Sequence, residues 1–184
     1  TDGCSVLNAR CAVAIMARPA KCPGECIYCP KGENAPQSYT GFEPATMRAI
    51  QNNYDAFEMV SSRLQQFQAL GHEPEKCELI VMGGTFNSQP QAYQDFFVKR
   101  ALDAFNGKAS KTLQIAQKLN ERAKHRVIGM TIETRPDFAS KPQVSRIIDL
   151  GATRIELGVQ SIAKGLYEKV RRKHSIQGVV DATQ

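Results

Sequence analysis

Three cysteines lie within eight residues of one another in the stretch KCPGECIYCPKG, where Cys22, Cys26 and Cys29 follow the spacing C-x3-C-x2-C. Thiols this close together are typical of disulfide partners or metal ligands. A closed tetrahedral zinc site takes four ligands, so these three thiols would need a fourth ligand from elsewhere in the chain. The remaining cysteines are the candidates for that position: Cys4, Cys11 and Cys77.

A [4Fe-4S] cluster held by only three cysteines is the other metal site that this spacing permits. The fourth iron is then open, and S-adenosylmethionine can chelate it through its amino and carboxylate groups. Such a cluster can reduce the sulfonium and release a 5′-deoxyadenosyl radical, while the protein positions and shields the reaction. Cys11 and Cys77 lie in apolar runs and have the character of small buried side chains, which favours the three-cysteine cluster.

Length and composition are those of one globular domain, with 184 residues, 42% of them apolar and 23% charged. No apolar run approaches the roughly 20 residues that a membrane-spanning helix needs. The first ten residues also lack the apolar segment of a signal peptide. We therefore expect a cytoplasmic protein with no membrane partner, in a compartment where cysteines stay reduced. The net charge of +6 is mild and fits a solvated surface as well as a nucleic-acid binder.

Four short apolar runs alternate with amphipathic stretches, a pattern typical of βα units around a parallel sheet. The runs predict strands at 11–17, 77–84, 126–136 and 153–161. A long helix is predicted from about residue 43 to Gly71, with one buried stripe made of Met47, Ile50, Tyr54, Phe57, Val60, Leu64 and Phe67. Because no strand-to-helix turn carries a dinucleotide-binding glycine pattern, we expect an α/β fold that is a partial (β/α) barrel of about four units.

Chemistry in parallel βα folds lies on the loops after the strands, and four such loops here carry polar or metal-binding residues. They are the cysteine loop and the stretches MGGTF, ETRPD and GVQS. Glycines at a strand end let the backbone approach a ligand closely, although a tight turn alone would explain them. The acid in ETRPD can accept hydrogen bonds from ribose hydroxyls, or can pair with the neighbouring arginine to shape the loop.

Six motifs in colinear order resemble the catalytic subunit of Elongator, a radical S-adenosylmethionine family that modifies wobble uridines of tRNA. They are CIYCP, PQSYTGFEP, MRAIQNNYD, LIVMGGTF, TIETRPD and RIELGVQS, and the resemblance extends from about residue 11 to residue 174. It implies a [4Fe-4S] cluster on the three loop cysteines and S-adenosylmethionine on the open iron. The residues expected to contact the cofactor are Tyr28, Gly83, Gly84, Thr85, Glu133, Arg135, Gln160 and Arg172.

The sequence departs from the family pattern at two places. Lys31 stands where the family has the first glycine of CPGG, and VRRKH stands where VNRGH is typical. The second departure makes Arg171 an alternative to Arg172 as the cofactor contact, since an arginine suits a carboxylate in either register. The basic residues near these departures are expected to contact tRNA phosphates, with a solvated face as the alternative: Lys31, Lys169, Arg171 and Lys173.

The resemblance implies an enzyme that carboxymethylates wobble uridine at C5 with acetyl-CoA and a 5′-deoxyadenosyl radical. It also implies further barrel strands and a C-terminal acetyltransferase-like domain that residues 1–184 do not include, so we expect an incomplete radical domain that needs further chain, other Elongator subunits or a second copy. Two alternatives are open. One is a radical enzyme related to the oxygen-independent coproporphyrinogen oxidases, and the other is a zinc-stabilised RNA-binding or assembly module.

Overall fold

The computed structural model describes residues 11–163 and 165–184, and its centre is a four-stranded parallel sheet. The strands are β1 (Cys11–Met16), β2 (Lys76–Met82), β3 (Arg126–Thr134) and β4 (Arg154–Leu157), and they lie side by side in the order in which they occur along the chain. All three neighbouring pairs are parallel. The expected α/β class and the four βα units are confirmed, and the sheet is an open part of a barrel.

Helices connect and cover the strands. They are α1 (Pro44–Gln51), α2 (Ala56–Ala69), α3 (Gln91–Asn106), α4 (Leu113–Asn120), α5 (Lys141–Asp149), α6 (Leu166–Lys169) and α7 (Ile176–Asp181), with short 3-10 turns at Phe86–Ser88 and Pro136–Phe138. The hydrophobic core lies between the sheet and the helices α1, α2 and α3. Apolar strand residues such as Val13, Leu79 and Ile132 are fully buried there against α2 and α3.

The single long helix predicted from residue 43 to Gly71 is wrong, because the structure divides it into α1 and α2. Asn53 and Tyr54 have φ angles of 50° and 57°, in the left-handed region that ends a helix. The side chain of Asp55 then begins α2 by accepting hydrogen bonds from two backbone N–H groups. The predicted stripe of buried residues does not continue through α1, because the turn reorients that helix. Met47, predicted to be buried, is 46% exposed.

The predicted end of that segment is confirmed. Gly71 has a φ of 80°, and the N–H groups of Gly71 and His72 donate to the carbonyls of Gln68 and Phe67. These two bonds form the Schellman arrangement that glycine favours after a helix.

Because the strands are parallel, their carboxyl ends meet at one edge of the sheet, and the four expected loops are brought together there. Cys11 and Cys77 lie at the opposite edge, near the amino ends of β1 and β2, where they are paired in register and buried. Burial, with a smaller contribution from Cys11, raises the pKa of the Cys77 thiol to about 12. Neither cysteine can therefore join the loop cysteines, and Cys4 lies outside the described residues. In the described part of the chain, no helix has the length and apolar character needed to cross a membrane.

Candidate metal and cofactor site

A cavity of about 350 Å³ opens at the carboxyl edge of the sheet. Its wall combines the cysteine loop with the residues that follow β2, β3 and β4, as the strand-end pattern predicts. The predicted site residues that line it are Cys22, Cys26, Cys29, Gly84, Thr85, Glu133, Arg135, Gln160 and Arg172. A volume of this size is within the range of small-molecule sites in proteins.

Each loop thiol has polar neighbours. The Sγ of Cys22 accepts a hydrogen bond from the N–H of Gly24 at 3.4 Å and lies 3.8 Å from the hydroxyl of Thr85. The Sγ of Cys29 lies 3.2 Å from the hydroxyl of Ser38. These contacts place polar groups next to both sulfur atoms.

Cys26 has the most unusual surroundings of the three, because two buried guanidinium groups point at its sulfur. Arg135 Nη1 lies 3.9 Å and Arg172 Nη1 lies 3.7 Å from Cys26 Sγ. All three residues are buried, at 6%, 5% and 5% exposure for Arg135, Arg172 and Cys26. Two positive charges are thus concentrated on one thiol of the loop.

Arg135 is held in place by two contacts. Its Nε and Nη2 both donate to the carboxylate of Asp137 at 2.9 Å, and Nη2 also donates to the backbone carbonyl of Arg172 at 2.8 Å. Burial lowers the pKa of Arg135, but the hydrogen bond and charge of Asp137 outweigh it, so the pKa is raised overall. The arginine in ETRPD therefore pairs with the aspartate that follows it, while Glu133 has another partner.

Arg172 is fixed by bonds to three different segments. Its Nη1 donates to the hydroxyl of Tyr28 at 2.7 Å, its Nε donates to His174 Nε2 at 2.7 Å, and its Nη2 donates to the carbonyl of Gly158. Burial and the neighbouring arginines lower the pKa of His174, which keeps this imidazole neutral and able to accept. The bond to Tyr28 explains how this predicted cofactor contact is positioned, although Tyr28 itself does not line the cavity.

Two carboxylates face the cavity from β3 and β4, where Glu133 and Glu156 are paired in register. Burial raises the pKa of Glu133, and the charge of Glu156 raises it further, against the lowering effect of a hydrogen bond from Tyr39. That bond joins the Tyr39 hydroxyl to Glu133 Oε2 at 3.1 Å. Burial and the same carboxylate raise the pKa of Tyr39, so the tyrosine stays a donor. Glu133 thus offers an oriented acceptor to a hydroxyl-bearing ligand.

The glycine turn after β2 places backbone against the cysteine loop. Gly83 and Gly84 have φ angles of 114° and 61°, which glycine adopts readily. A Cβ on Gly83 would lie 3.1 Å from the backbone nitrogen of Ala17, so Gly83 packs behind the cavity wall and only Gly84 lines it. Thr85, 4% exposed, completes the wall beside Cys22. The turn therefore exposes backbone groups and one hydroxyl to a ligand.

The donor set fits an iron–sulfur cluster. The three loop cysteines are free thiols that line the same cavity, each with a polar neighbour, and two guanidinium groups lie beside Cys26. Across the described ranges, no three His, Cys, Asp or Glu side chains come close enough together to hold one metal ion. A cluster needs less convergence than a single ion does, because each thiolate binds a different iron.

Arg172 lines this cavity, whereas Arg171 lines a second one described below. Several lining residues were missed by the sequence interpretation: Gln37, Ser38, Thr134, Glu156, Leu157 and Gly158. Glu156 was detectable, because it lies two residues before the loop GVQS, near the carboxyl end of the predicted strand. The contribution of Gln37 and Ser38 depends on the folding of the loop after the cysteines, for which the sequence has no clear signal.

A second cavity of about 960 Å³, here called the outer cavity, is also lined by the three loop cysteines and extends along residues 21–27. Three of the four predicted tRNA contacts line it, namely Lys31, Arg171 and Lys173, together with Lys21. Lys173 also forms an ion pair with Glu25 at 2.7 Å. The fourth predicted contact, Lys169, is exposed on α6 and does not line this cavity.

Comparison with known proteins agrees with this geometry. A "tRNA uridine(34) acetyltransferase" of Methanocaldococcus infernus is 49% identical over 94% of this chain, and the human "Elongator complex protein 3" is 41% identical over 92%. The chain spans about a third of the length of these curated relatives, at 33% of each. A solved structure of archaeal Methanocaldococcus infernus Elp3 superimposes with a TM-score of 0.74 at 37% identity, covering 94% of this chain and 34% of that one. Residues 18–184 match the Radical SAM superfamily, and the chain therefore belongs to that superfamily.

Proposed function

We propose that Cys22, Cys26 and Cys29 bind a [4Fe-4S] cluster and that the 350 Å³ cavity binds S-adenosylmethionine on the open iron. When bound, the cluster supplies the electron that cleaves S-adenosylmethionine to a 5′-deoxyadenosyl radical. The observation that supports this proposal best is the convergence of the three cysteines with the ends of β2, β3 and β4 on one cavity. Nine of the eleven residues that the motifs predicted for the metal and the cofactor line this cavity.

The cavity residues have distinct roles in the proposal. Glu133, oriented by Tyr39, accepts hydrogen bonds from the ribose hydroxyls. Backbone groups of Gly84, with Thr85 beside them, receive the methionyl amino group, and Gln160 donates to the methionyl carboxylate. The sheet closes one side of the cavity and excludes water there, so a radical formed in the cavity would be shielded on that side.

Anaerobic iron and sulfide reconstitution tests the cluster. The chain should gain about four irons and a broad absorption near 400 nm, the number and the band that a [4Fe-4S] centre brings. Cys26→Ala should lose both, whereas Cys77→Ala, which also removes one thiol, should keep them. Uptake of a single zinc with no such absorption would instead support the zinc-stabilised module.

Binding of S-adenosylmethionine to the reconstituted chain tests the cavity. Glu133→Gln should weaken binding about tenfold or more, since a charged acceptor contributes about 1.5–3 kcal/mol to a hydrogen bond. Glu78→Gln, on the same sheet but away from the cavity, is the matched control and should bind as the parent does. Equal affinities for both variants would contradict the assignment of Glu133.

For the longer protein of which such a domain forms a third, we propose carboxymethylation of wobble uridine at C5 in tRNA, with acetyl-CoA as co-substrate. The named relatives support this proposal, since they are a tRNA uridine(34) acetyltransferase and an Elongator protein. Acetyl-CoA would act through an acetyltransferase-like domain, and Elongator subunits or a second copy would be the protein partners. We place the enzyme in the cytoplasm, where the ligand thiols stay reduced.

The basic outer cavity is the part of this chain that we assign to tRNA phosphates. Lys31 and Arg171 are exposed on its wall, and Lys169 is exposed on α6. Lys31→Gln and Arg171→Gln should each weaken tRNA binding and reduce the slope of log affinity against log salt by about 1. Lys118→Gln, an exposed lysine of α4, should leave the slope unchanged. If the chain takes up the cluster but binds no tRNA at low salt, that result would favour the alternative of a radical enzyme related to the oxygen-independent coproporphyrinogen oxidases.

A further inference from the structure

The two arginines at Cys26 form an unusual arrangement, because the protein neutralises only one of them. Arg135 shares the carboxylate of Asp137, whose side chain is 27% exposed. Arg172 meets only neutral partners besides the thiol: the Tyr28 hydroxyl, a backbone carbonyl and the unprotonated Nε2 of His174. Two guanidinium charges against one carboxylate leave a net charge of +1 beside Cys26 among the described contacts.

A buried charge without a counter-ion is costly, so such a charge is normally paired. Arg135 and Arg172 are 6% and 5% exposed, which gives water little part in solvating them. The group that both guanidiniums share is Cys26 Sγ, at 3.9 and 3.7 Å. An anionic cluster bound through this sulfur would therefore place the neutralising charge where the two guanidinium groups meet.

We propose that Arg135 and Arg172 act as a guanidinium clamp on Cys26, which positions this ligand and raises the reduction potential of the cluster. This inference depends on the cluster proposed above and adds the roles of these residues. Potentials of iron–sulfur clusters depend on net charge and on hydrogen bonds to sulfur. Reduction adds one negative charge to the cluster, so a fixed positive charge at a ligand stabilises the reduced form.

The clamp differs from the cofactor contact that the sequence predicts for the same arginines. A contact to the methionyl carboxylate would act only when S-adenosylmethionine is bound. The clamp acts on the cluster in the absence of S-adenosylmethionine, because its contacts are to the protein's own thiol. The two roles are separated by measuring the potential without the cofactor.

A redox titration of the reconstituted chain, monitored by EPR without S-adenosylmethionine, tests the clamp. Arg172→Gln should make reduction at least tenfold less favourable, which is a shift of the midpoint by 59 mV or more to negative values for a one-electron couple. Arg172→Lys retains the charge and should recover at least half of that shift. Lys118→Gln, remote on α4, should leave the midpoint unchanged.

Asp137→Asn supplies a test of the opposite sign. It removes the single carboxylate at the clamp while its amide oxygen can still accept from Arg135, so the midpoint should move to more positive values. If Arg172 and Asp137 had only structural roles, the two substitutions would move the midpoint potential in the same direction or leave it unchanged. Either result would refute the clamp. If Arg172→Gln does not retain iron, the midpoint potential of Asp137→Asn decides the question. Only a shift of that potential to more positive values supports the clamp. Failure of the parent chain to take up iron would instead refute the proposed function.

Discussion

Substitution of Gly83 by alanine should destabilise the chain more than substitution of any glycine whose environment is open. Gly83 has a φ of 114°, and left-handed backbone costs an alanine about 1–2 kcal/mol. Its Cβ would also lie 3.1 and 3.2 Å from the nitrogen and oxygen of Ala17, both backbone atoms. Those atoms cannot retreat easily, because the N–H of Ala17 donates to the carbonyl of Met82 at 3.0 Å. Forced repacking of this kind adds at least about 1 kcal/mol.

The expected loss for Gly83→Ala is therefore about 2–3 kcal/mol, or roughly 4–12 °C in Tm for a chain of this size. Gly107→Ala is the matched control, since Gly107 has a φ of 67° with no atom within 4 Å of its Cβ position. It should lose only the backbone cost of about 1–2 kcal/mol. Urea denaturation followed by circular dichroism measures both free energies of unfolding. Equal losses in the two variants would refute the reasoning about the contact with Ala17.

Asp103→Asn should lower the free energy of unfolding, measured by urea denaturation, by about 2–3 kcal/mol. This fully buried carboxylate accepts a hydrogen bond from Lys99 and another from the backbone N–H of Ser110 in the following loop. A loss below about 0.5 kcal/mol would contradict that role. Tyr39→Phe should destabilise more at a pH above the raised pKa of Glu133, where the carboxylate that accepts from Tyr39 is ionised, than at a pH below it, where Glu133 is protonated. A raised folded-state pKa means that this carboxylate destabilises above it, and that stability recovers as pH falls through it, so Glu133→Gln should abolish the pH difference. Because β4 has a free edge among the described strands, the chain should self-associate in analytical ultracentrifugation, and a strictly monomeric species would oppose this expectation.

The strand pattern was predictable because each apolar run is short, ends in glycine or proline and alternates with a helical stretch. That pattern was sufficient to bring the cysteine loop and Glu133 to one edge, since parallel order alone places strand ends together. The break between α1 and α2 was not predictable, because apolar residues continue at helical spacing through Asn53 and Tyr54. The local signals, an asparagine that tolerates left-handed backbone and the N-cap Asp55, are short and are masked by that apolar spacing.

The site was predictable in its membership and less so in its contacts. Arg135 and Arg172 were expected to face a ligand, yet most of their hydrogen bonds go to Asp137, Tyr28 and the thiol of Cys26. No local pattern in the sequence indicates which of several basic side chains contacts a given cysteine sulfur. That choice depends on side-chain packing between segments that are far apart along the chain.

The contact between Arg172 and Cys26 joins residues that are 146 positions apart. During synthesis the amino-terminal strands emerge first, and a sheet ordered β1-β2-β3-β4 can grow by adding each strand to the last. The guanidinium of Arg172 arrives only after all four strands have left the ribosome. Until then the Cys26 thiol lacks this guanidinium, so the surroundings of a residue near the start of the chain are completed by one of the last segments to be synthesised.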